Sequence, residues 1–435
     1  MSKTFRVITL GCKVNQYESA YMTDALSQAG WNQACEGETA DVSIINTCIV
    51  TQRAAHQSRQ EIRKAVRQNP EGLVAAFGCY AQVYGEELSQ IEGIGLVAGN
   101  TEKGRALSLL QETASSGETS IALGDLKPGM PFEYLPVNVH PGRTRAYLKI
   151  QDGCEAFCSY CIVAFARGPY RSLTPEKVLS AIESLAKQGY KEIVLTGIHL
   201  GKYGVDLKLR TNLGLLLKMI EREEFPARIR LSSLEPQEVN QDYIEMASSG
   251  TWLCRHFHIP LQSGDDAVLK RMNRHYTAQS FGELVRFIHE KIPLAAIGID
   301  VMSGFPGEDS LAHDNTCALI KDLPVSYLHV FPFSPRKGTA AFDFKGRNKP
   351  DVIKKRAAGL RMIGRDKRAA FYKSCIDKEF PVLVERRQSK EKGMVMGTSD
   401  NYLPVLFQSS DELRNRIVPV LIERVEDNRV FGLAI

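Results

Sequence analysis

The sequence lacks the long apolar segment that a membrane-spanning helix requires. No stretch reaches the roughly 18 consecutive apolar residues expected of such a helix. The first residues, MSKTFRVITLGC, also lack the basic and apolar segments of a secretory signal peptide, because they lead directly into a strand-like run. We therefore expect a cytoplasmic protein that does not enter a membrane.

The sequence also lacks a strong overall charge. Its formal net charge is +5 over 435 residues, and 43% hydrophobic and 24% charged residues are typical of a globular protein. The charge is unevenly placed, since residues 350–393 hold 13 Lys and Arg against 6 Asp and Glu. This local surplus suits a surface that binds a polyanion, and a solvated helical face explains it equally well.

Cysteine is scarce, and disulfide bonds are not expected. The chain holds 10 cysteines, which a reducing compartment keeps as free thiols or metal ligands. Three of them come directly after apolar, strand-like runs: Cys12 after residues 5–10, Cys48 after residues 41–47 and Cys79 after residues 73–78.

The first region, up to about residue 130, alternates such runs with amphipathic stretches and predicts a parallel α/β sheet. The carboxyl ends of parallel strands meet at one edge of a sheet. Cys12, Cys48 and Cys79 are therefore predicted to share a ligand site there. The alternative is three buried structural cysteines, since free cysteine is among the most buried residue types.

A second region follows a Gly-, Ser- and Pro-rich passage, residues 113–131, which we interpret as a linker. It contains six strand-like runs separated by helical patterns, one of which opens with Thr174 as N-cap and Pro175 at the first position. The pattern predicts an incomplete (β/α)6 barrel with functional residues at the carboxyl ends of its strands. The runs are residues 146–150, 192–197, 228–233, 256–262, 297–304 and 327–334.

The last region, from about Phe371, contains about five strand-like runs in roughly sixty residues. This spacing predicts a small β-barrel, a shape often used to bind nucleic acid. Because the neighbouring segment is basic, RNA binding is the favoured interpretation, although a structural cap has the same pattern.

The segment GCEAFCSYC, residues 153–161, holds three cysteines and lacks a fourth. Structural zinc takes four ligands, commonly from two cysteine pairs. Three cysteines can instead hold three irons of a cubane iron–sulfur cluster and leave the fourth iron open to a substrate or cofactor. Cys154, Cys158 and Cys161 are predicted to form such a site, with a zinc knuckle or free thiols as the alternatives.

CEAFCSYC resembles the cluster loop of radical S-adenosylmethionine (SAM) enzymes. Nearly the whole chain is similar to the radical SAM methylthiotransferases, and GCKVNQYES and HVFPFSPRKGTAA are most similar to the branch that acts on N6-threonylcarbamoyladenosine in tRNA. The other similar segments are ITLGCKVNQYES, INTCIVTQRAAHQSRQEIR, FGCY, LKIQDGCEAFCSYCIVAFARG, LTGIHLGKYG, RLSSLEP, CRHFHIPLQSG, LKRMNRHYT and DVMSGFPGE.

The resemblance implies an α/β protein of three domains: residues 1–130 with an auxiliary cluster, residues 131–370 as the radical SAM partial barrel, and residues 371–435 as a TRAM-like RNA-binding β-barrel. It also implies two 4Fe-4S clusters. One, held by Cys154, Cys158 and Cys161, cleaves SAM. The other, held by Cys12, Cys48 and Cys79, carries or donates the sulfur.

The implied reaction converts N6-threonylcarbamoyladenosine at tRNA position 37, immediately 3′ of the anticodon, to its 2-methylthio derivative. One SAM gives the methyl group. Another gives the 5′-deoxyadenosyl radical that removes hydrogen from C2 of the adenine. The implied partners are the tRNA, an external electron donor such as flavodoxin or ferredoxin, and a sulfur source.

The resemblance also implies SAM contacts near the cluster loop and at strand ends. Tyr160 matches the position that offers a backbone contact to the adenine, and Thr196 and Gly197 match the position that meets the SAM amino group. Packing at the barrel rim explains each polar residue equally well. The candidates for contacts to the methionyl or ribose part are Ser233, Glu235 and Gln262.

Four arginines around the predicted opening are candidates for tRNA phosphates or for the threonylcarbamoyl carboxylate, because an arginine fork suits either oxyanion. Exposed solubilising charges are the alternative. His256, His258 and His275 have no metal-like spacing with the cysteines. The arginines are Arg143, Arg145, Arg167 and Arg171.

Other functions stay open at this point. The same chemistry can act on N6-isopentenyladenosine in tRNA or on a ribosomal protein side chain. In a different class, the chain is a non-catalytic RNA-binding protein with zinc on its cysteines, which the four-ligand preference of structural zinc disfavours.

Overall fold

The computed structural model describes residues 3–35, 37–137, 140, 142–388, 393–409 and 413–435. Among these residues, no helix combines the length and apolar character needed to cross a membrane. The largest hydrophobic core fills the central region, and the N-terminal and C-terminal regions have cores of their own.

The first region is a parallel sheet of six strands, in the order β2-β1-β3-β4-β5-β6, with a hydrophobic core on each face. The central strands of this sheet are almost fully buried because both of its faces are covered by helices. Strands β1 to β6 span Thr4–Thr9, Asn32–Gln33, Val42–Thr47, Leu73–Gly78, Leu96–Ala98 and Ser120–Ala122. Helices α1 to α4 span Lys13–Gln28, Gln52–Gln68, Cys79–Ser89 and Ala106–Ser116.

The predicted linker over residues 113–131 is wrong in its first half. Residues 113–116 complete helix α4, which Gly117 ends with a φ of 69°. Strand β6 then pairs in parallel with β5. The Gly-, Ser- and Pro-rich neighbours of this stretch concealed the strand, which is only three residues long and lies at the edge of the sheet.

The central region is an incomplete barrel of six parallel strands, as predicted. It consists of two three-stranded sheets, ordered β11-β10-β7 and β12-β13-β14. An isolated bridge between Ile229 and Leu253 lies where the two sheets meet. Strands β7 to β14 span Ala146–Lys149, Gln151–Asp152, Arg171–Ser172, Glu192–Thr196, Arg228–Leu231, His256–His258, Ala296–Ser303 and Tyr327–Pro332. The short β8 and β9 pair with each other outside the barrel.

Helices cover the outside of this barrel. Helix α6 begins at Pro175, as predicted, but the side chain of Thr174 at its N-cap makes no capping hydrogen bond. Helices α5 to α11 span Val163–Arg167, Pro175–Lys187, Leu213–Arg222, Gln241–Ser249, Asp266–Arg271, Ala278–Lys291 and Ser310–Asp322.

The last region is a closed five-stranded barrel, ordered β15-β16-β17-β19-β18, which confirms the predicted shape. It follows helix α12, Pro350–Ser374, so that most of the basic segment is helical and precedes the barrel. Strands β15 to β19 span Glu379–Gln388, Met394–Ser399, Pro404–Gln408, Ile417–Glu426 and Arg429–Ala434.

Two buried arginines join the central and C-terminal barrels. Arg228 Nη1 donates to the carbonyl of Pro381 at 2.7 Å, and Arg230 Nη2 donates to the carbonyl of Ser399 at 2.9 Å. Both guanidinium groups also pair with the single carboxylate of Glu192. The contact therefore fixes the C-terminal barrel near the amino ends of β10 and β11.

Candidate active site between two cysteine sets

Cys12, Cys48 and Cys79 lie at one edge of the N-terminal sheet. The strands that precede them, β1, β3 and β4, are neighbours and run in parallel. Cys48 follows β3 directly, Cys79 follows β4 directly, and Cys12 stands at the N-cap of α1. The structure thus brings three distant cysteines together, and we call them the edge set.

A close approach of the chain at Gly11 shapes the edge set. Gly11 has a φ of +95°, and a Cβ atom there would lie 2.8 Å from Cys48 Sγ. Asn15 Nδ2 donates to the carbonyls of Leu10 at 2.8 Å and Thr47 at 3.0 Å. One amide therefore holds together the two strand ends that carry Cys12 and Cys48.

Cys154, Cys158 and Cys161 lie on a compact loop after β8, and we call them the loop set. The Cys154 N–H donates to the carbonyl of Gly168, and the Cys161 N–H to the carbonyl of Cys158, each at 2.9 Å. Phe157, between the first two cysteines, has a φ of 44°. This left-handed conformation is uncommon outside glycine and turns the chain back within one residue.

The segment LKRMNRHYT supports this loop. The Ser159 N–H donates to the carbonyl of Met272 at 3.0 Å. Asn273 Nδ2 donates to the carbonyls of Ala156 and Phe157, each at 3.2 Å. This segment therefore fixes the backbone between the loop-set cysteines.

Both sets receive guanidinium donors that the sequence interpretation missed. Arg167 Nε donates to Cys79 Sγ in the edge set, and Arg274 Nη1 donates to Cys158 Sγ in the loop set, each at 3.3 Å. The paired residues are 88 and 116 positions apart, so no spacing rule reveals them. A donor to a ligating sulfur is one of the means by which a protein sets the reduction potential of an iron–sulfur cluster.

A histidine also lies against the loop set. His199 Nδ1 is 3.4 Å from Cys154 Sγ, and its Nε2 is 2.7 Å from Glu238 Oε1. Burial lowers the pKa of His199, but these two contacts outweigh burial and raise it to about 9. The imidazolium therefore suits a thiolate neighbour. His199 lies in LTGIHLGKYG, one of the segments that resemble the family, but it was not predicted as a site residue.

The thiols of both sets are suited to metal ligation. Burial, with a smaller contribution from Cys79, raises the pKa of Cys48 to about 12. Burial, followed by the neighbouring Cys158, raises the pKa of Cys161 to about 12. Such thiols are neutral near pH 7 unless a metal ion stabilises the thiolates, and soft sulfur ligands suit iron–sulfur clusters.

The sulfur atoms are spaced too widely for a single zinc ion. Tetrahedral zinc with Zn–S distances of about 2.3 Å brings its sulfurs to about 3.8 Å from one another. In the described part of the chain, neither set has all three sulfur atoms within 4.8 Å of one another. Ligands on separate irons of one cluster do not need such short distances between their sulfur atoms.

Comparisons with known proteins identify the family. Residues 4–99 match the family described as uncharacterized protein family UPF0004, and residues 148–316 match the radical SAM superfamily. The chain is 37% identical to the threonylcarbamoyladenosine tRNA methylthiotransferase MtaB of Bacillus subtilis, over 95% of this chain and 92% of that protein. It belongs to the radical SAM methylthiotransferases. The protein is therefore an enzyme, and its cofactors are two 4Fe-4S clusters and SAM.

Two further proteins are similar to this methylthiotransferase. A tRNA-2-methylthio-N(6)-dimethylallyladenosine synthase of Pelotomaculum thermopropionicum is 29% identical, over 97% of this chain and 95% of that protein. The solved radical S-adenosylmethionine methyltransferase TsrM of Kitasatospora setae has a TM-score of 0.57 and 16% identity, covering 79% of this chain and 77% of that one. The second likeness concerns the fold alone.

A cavity of about 160 Å³ lies beside the loop set of the methylthiotransferase. Tyr160, Cys161 and Gln262 line it from the central barrel, and Val50 and Thr51 line it from the N-terminal region. Val50 comes two residues after Cys48, so the segment that follows this edge-set cysteine forms part of the cavity wall.

The other predicted SAM contacts do not line this cavity. Thr196 is buried at the end of β10, and Gly197 follows it against the side chain of Gln151. Ser233 is exposed, and Glu235 pairs with Arg274 beside Cys158. Their role as SAM contacts stays a prediction.

Arg167 and Arg171 are not at the opening of the barrel, so that prediction was wrong for both. Arg167 is 0% exposed and pairs with Glu18 at 2.5 Å, and Arg171 lies 3.7 Å from Asp152. Helix α5 turns towards the N-terminal sheet, where buried carboxylates require cationic partners. These arginines are therefore not free to bind a substrate anion.

The two other arginines are closer to the surface. Arg145 is partly exposed and lies 3.4 Å from Glu385 of the C-terminal barrel. The Arg143 guanidinium lies 5.1 Å from the ring centre of Tyr147. Both can still contact RNA, although Arg145 already has a carboxylate partner.

A third group of potential ligands lies on three adjacent barrel strands. His258 Nε2 is 2.9 Å and His329 Nδ1 is 3.3 Å from Asp300 Oδ1, and the three ligand atoms lie within 4.8 Å of one another. Two imidazoles and a carboxylate could hold a divalent cation. This group could not be predicted from the sequence, because its members come from β12, β13 and β14 and have no short spacing.

Proposed function

We propose that the protein converts N6-threonylcarbamoyladenosine at tRNA position 37 to its 2-methylthio derivative. The observation that carries this proposal is the cavity between the loop set and Val50, two residues beyond Cys48. A group bound there lies beside Cys161 and beside the segment that follows Cys48. The 37% identity to a protein named for this substrate favours it over the dimethylallyl analogue, whose namesake is 29% identical.

Each cysteine set has one role in this proposal. Cys154, Cys158 and Cys161 hold the cluster that binds SAM, and Cys12, Cys48 and Cys79 hold the auxiliary cluster. When bound, these groups supply a 5′-deoxyadenosyl radical and a sulfur atom, which C2 of an adenine needs because it has neither an acidic hydrogen nor a leaving group. Separate sets allow the two events to occur side by side.

The side chains of the enzyme orient these groups. Arg274 and His199 hold Cys158 and Cys154 by contacts of 3.3 and 3.4 Å. Tyr160 and Gln262 offer polar atoms to SAM at the cavity wall. Apolar side chains also line the cavity and disfavour water beside a radical. They include Val50, Met302 and Phe331.

RNA is bound in this proposal by α12 and the C-terminal barrel, which we assign as a TRAM domain. Helix α12 presents a row of exposed cations suited to phosphates. An external flavodoxin or ferredoxin supplies electrons, a separate source supplies sulfur, and the domain limits are residues 130 and 370. The exposed cations are Lys354, Lys355, Arg361, Arg365 and Arg368.

Mass spectrometry of nucleosides tests the substrate. The reconstituted enzyme is incubated anaerobically with SAM, a reductant and tRNA that carries either N6-threonylcarbamoyladenosine or N6-isopentenyladenosine. We expect the methylthio product only from the first tRNA. Product from the second tRNA alone would falsify the proposed substrate. With deuterium at C2 of the substrate adenine, we expect the label in 5′-deoxyadenosine.

A further inference from the structure

Five arginines are buried in the described residues, and four of them have a carboxylate partner. The fifth, Arg336, is 6% exposed, and no described carboxylate lies within 4.0 Å of its guanidinium. The four pairs are Arg167–Glu18, Arg171–Asp152, Arg228–Glu192 and Arg230–Glu192.

The side chain of Arg336 has few polar contacts. Its Nη2 donates one long hydrogen bond of 3.4 Å to Ser334 Oγ, and its Nε has no hydrogen-bond partner among the described atoms. Burial without a counter-ion holds the pKa of Arg336 below its ordinary value. A buried, unpaired charge is strongly unfavourable, so this position is suited to an anion that arrives from outside the chain.

Arg336 lines a cleft of about 1030 Å³ between the N-terminal region and the central barrel. Arg59 and Lys337 line the same cleft. So do the aromatic side chains of Tyr84 and Phe165, and Phe165 is 50% exposed. Cations interleaved with exposed aromatic rings are typical of grooves that bind single-stranded nucleic acid.

We propose that Arg336 binds a phosphodiester of the tRNA anticodon loop in this cleft, while a neighbouring base stacks on Phe165. This inference rests on the proposed function, which supplies the RNA. Single-stranded loops are the part of RNA whose bases can be splayed out and stacked on aromatic side chains.

The position of the cleft supports a nucleotide next to the modified base. Ile162, which follows Cys161, lines both the cleft and the cavity beside the loop set. A small inorganic anion such as hydrosulfide could also pair with Arg336, but it would occupy only a small part of this cleft. Its acidic side chains do not neutralise Arg336, since Glu87 lies 3.2 Å from Arg59 and neither Glu86 nor Glu87 is within 4.0 Å of Arg336.

Replacing Arg336 by glutamine tests the inference. The full-length reconstituted enzyme and its Arg336→Gln variant are titrated into a labelled anticodon stem-loop RNA that carries N6-threonylcarbamoyladenosine, and anisotropy gives Kd at several salt concentrations. We expect Kd to rise about tenfold and the salt slope to fall by about 1. The matched control is Arg63→Gln, which removes an exposed arginine of α2 outside the cleft and should change Kd less than about twofold.

Thermal unfolding separates binding from a structural role. Arg336→Gln removes a buried charge without a counter-ion, so its Tm should equal or exceed that of the wild type. A clearly lower Tm, with unchanged RNA affinity, would show that Arg336 only supports the fold and would overturn the inference.

Neutral RNA linkages identify the contacted phosphate. A methylphosphonate at one linkage beside the modified base should weaken binding of the wild type about tenfold and leave binding of Arg336→Gln unchanged. The inference is overturned if every linkage affects both proteins equally, or if the variant keeps full RNA affinity and loses only sulfide incorporation. Binding is measured without turnover. If the variant loses RNA affinity but the wild-type enzyme yields no methylthio product in the nucleoside assay, the inference stands and the proposed function fails.

Discussion

The edge set and the loop set are built in opposite ways. The edge set is gathered from three strand ends of one sheet, whereas the loop set lies within a single segment of eight residues, Cys154 to Cys161. The first depends on the packing of the whole N-terminal region. The second depends on local turns and on hydrogen bonds to residues 272–273. Two sets of three cysteine ligands can therefore differ in how much of the fold they require.

Removing one cysteine set at a time should have the largest effect on activity and iron content. Changing Cys154, Cys158 and Cys161 to alanine should abolish SAM cleavage, whereas changing Cys12, Cys48 and Cys79 should retain cleavage and abolish methylthiolation. Each triple variant should keep about four of eight irons, because each set holds one 4Fe-4S cluster. Iron analysis and 5′-deoxyadenosine yield measure this. Cys317→Ala, outside both sets, should keep all the iron, and full iron in either triple variant contradicts the assignment.

Substitution of two glycines should disrupt the two cysteine sets separately. A Cβ at Gly11 would lie 2.8 Å from Cys48 Sγ, and one at Gly153 would lie 1.8 Å from the carbonyl oxygen of Pro169. Gly11→Ala should therefore lower iron and product while keeping SAM cleavage, and Gly153→Ala should lower SAM cleavage. Gly30→Ala is the control, since Gly30 also has positive φ but open space around it. It should cost only about 1–2 kcal/mol of unfolding free energy, for the left-handed backbone alone. Identical defects in the first two variants would refute the separation.

The guanidinium donors should differ in their contribution to stability. Glu18 is buried and pairs with Arg167, Lys103 and Lys149. Arg167→Gln removes one of these three cations, so the free energy of unfolding should fall by about 1.5–3 kcal/mol. Arg274→Gln should cost less, since the side chain of its partner Glu235 is 19% exposed. Urea unfolding of the metal-free proteins, followed by the fluorescence of Trp31 and Trp252, measures the difference. Equal losses would show that burial of the partner carboxylate does not decide the cost.

The smallest expected effect concerns reduction potentials. Arg167→Lys keeps the charge but removes the Nε donor 3.3 Å from Cys79 Sγ. The auxiliary cluster should then become harder to reduce, by on the order of 60 mV, since 59 mV corresponds to about 1.4 kcal/mol for one electron. A redox titration followed by electron paramagnetic resonance, with the loop-set cysteines changed to alanine, reports this cluster alone. Arg274→Lys should leave this potential unchanged, and a shift there would contradict the pairing of donors with sets.

Much of the fold could be predicted from local patterns. The apolar runs before Cys12, Cys48 and Cys79 gave the strands, and parallel strands place their carboxyl ends together. The six barrel strands and the five-stranded C-terminal barrel followed from the same periodicity. Strand β6 was missed because its three residues, Ser120–Ala122, are too few to give a periodic pattern.

The partners of the cysteines could not be predicted in the same way. Arg167 follows the loop set closely in sequence and looked like a surface cation at the barrel opening. Its burial is decided by Glu18 and Cys79, which belong to another region. The direction of such a side chain depends on tertiary packing, and no local pattern encodes it. The same holds for Arg274 and for the group of His258, Asp300 and His329.

The contacts of Arg167 also limit how this protein can be rebuilt by recombination. Arg167 comes from the central barrel, but its guanidinium touches Asn15, Glu18 and Cys79 of the N-terminal region. A chimera that exchanges the first 130 residues for those of a relative must therefore keep this whole group matched. Crossovers that separate Arg167 from Glu18 should give insoluble chains, even when every cysteine is retained.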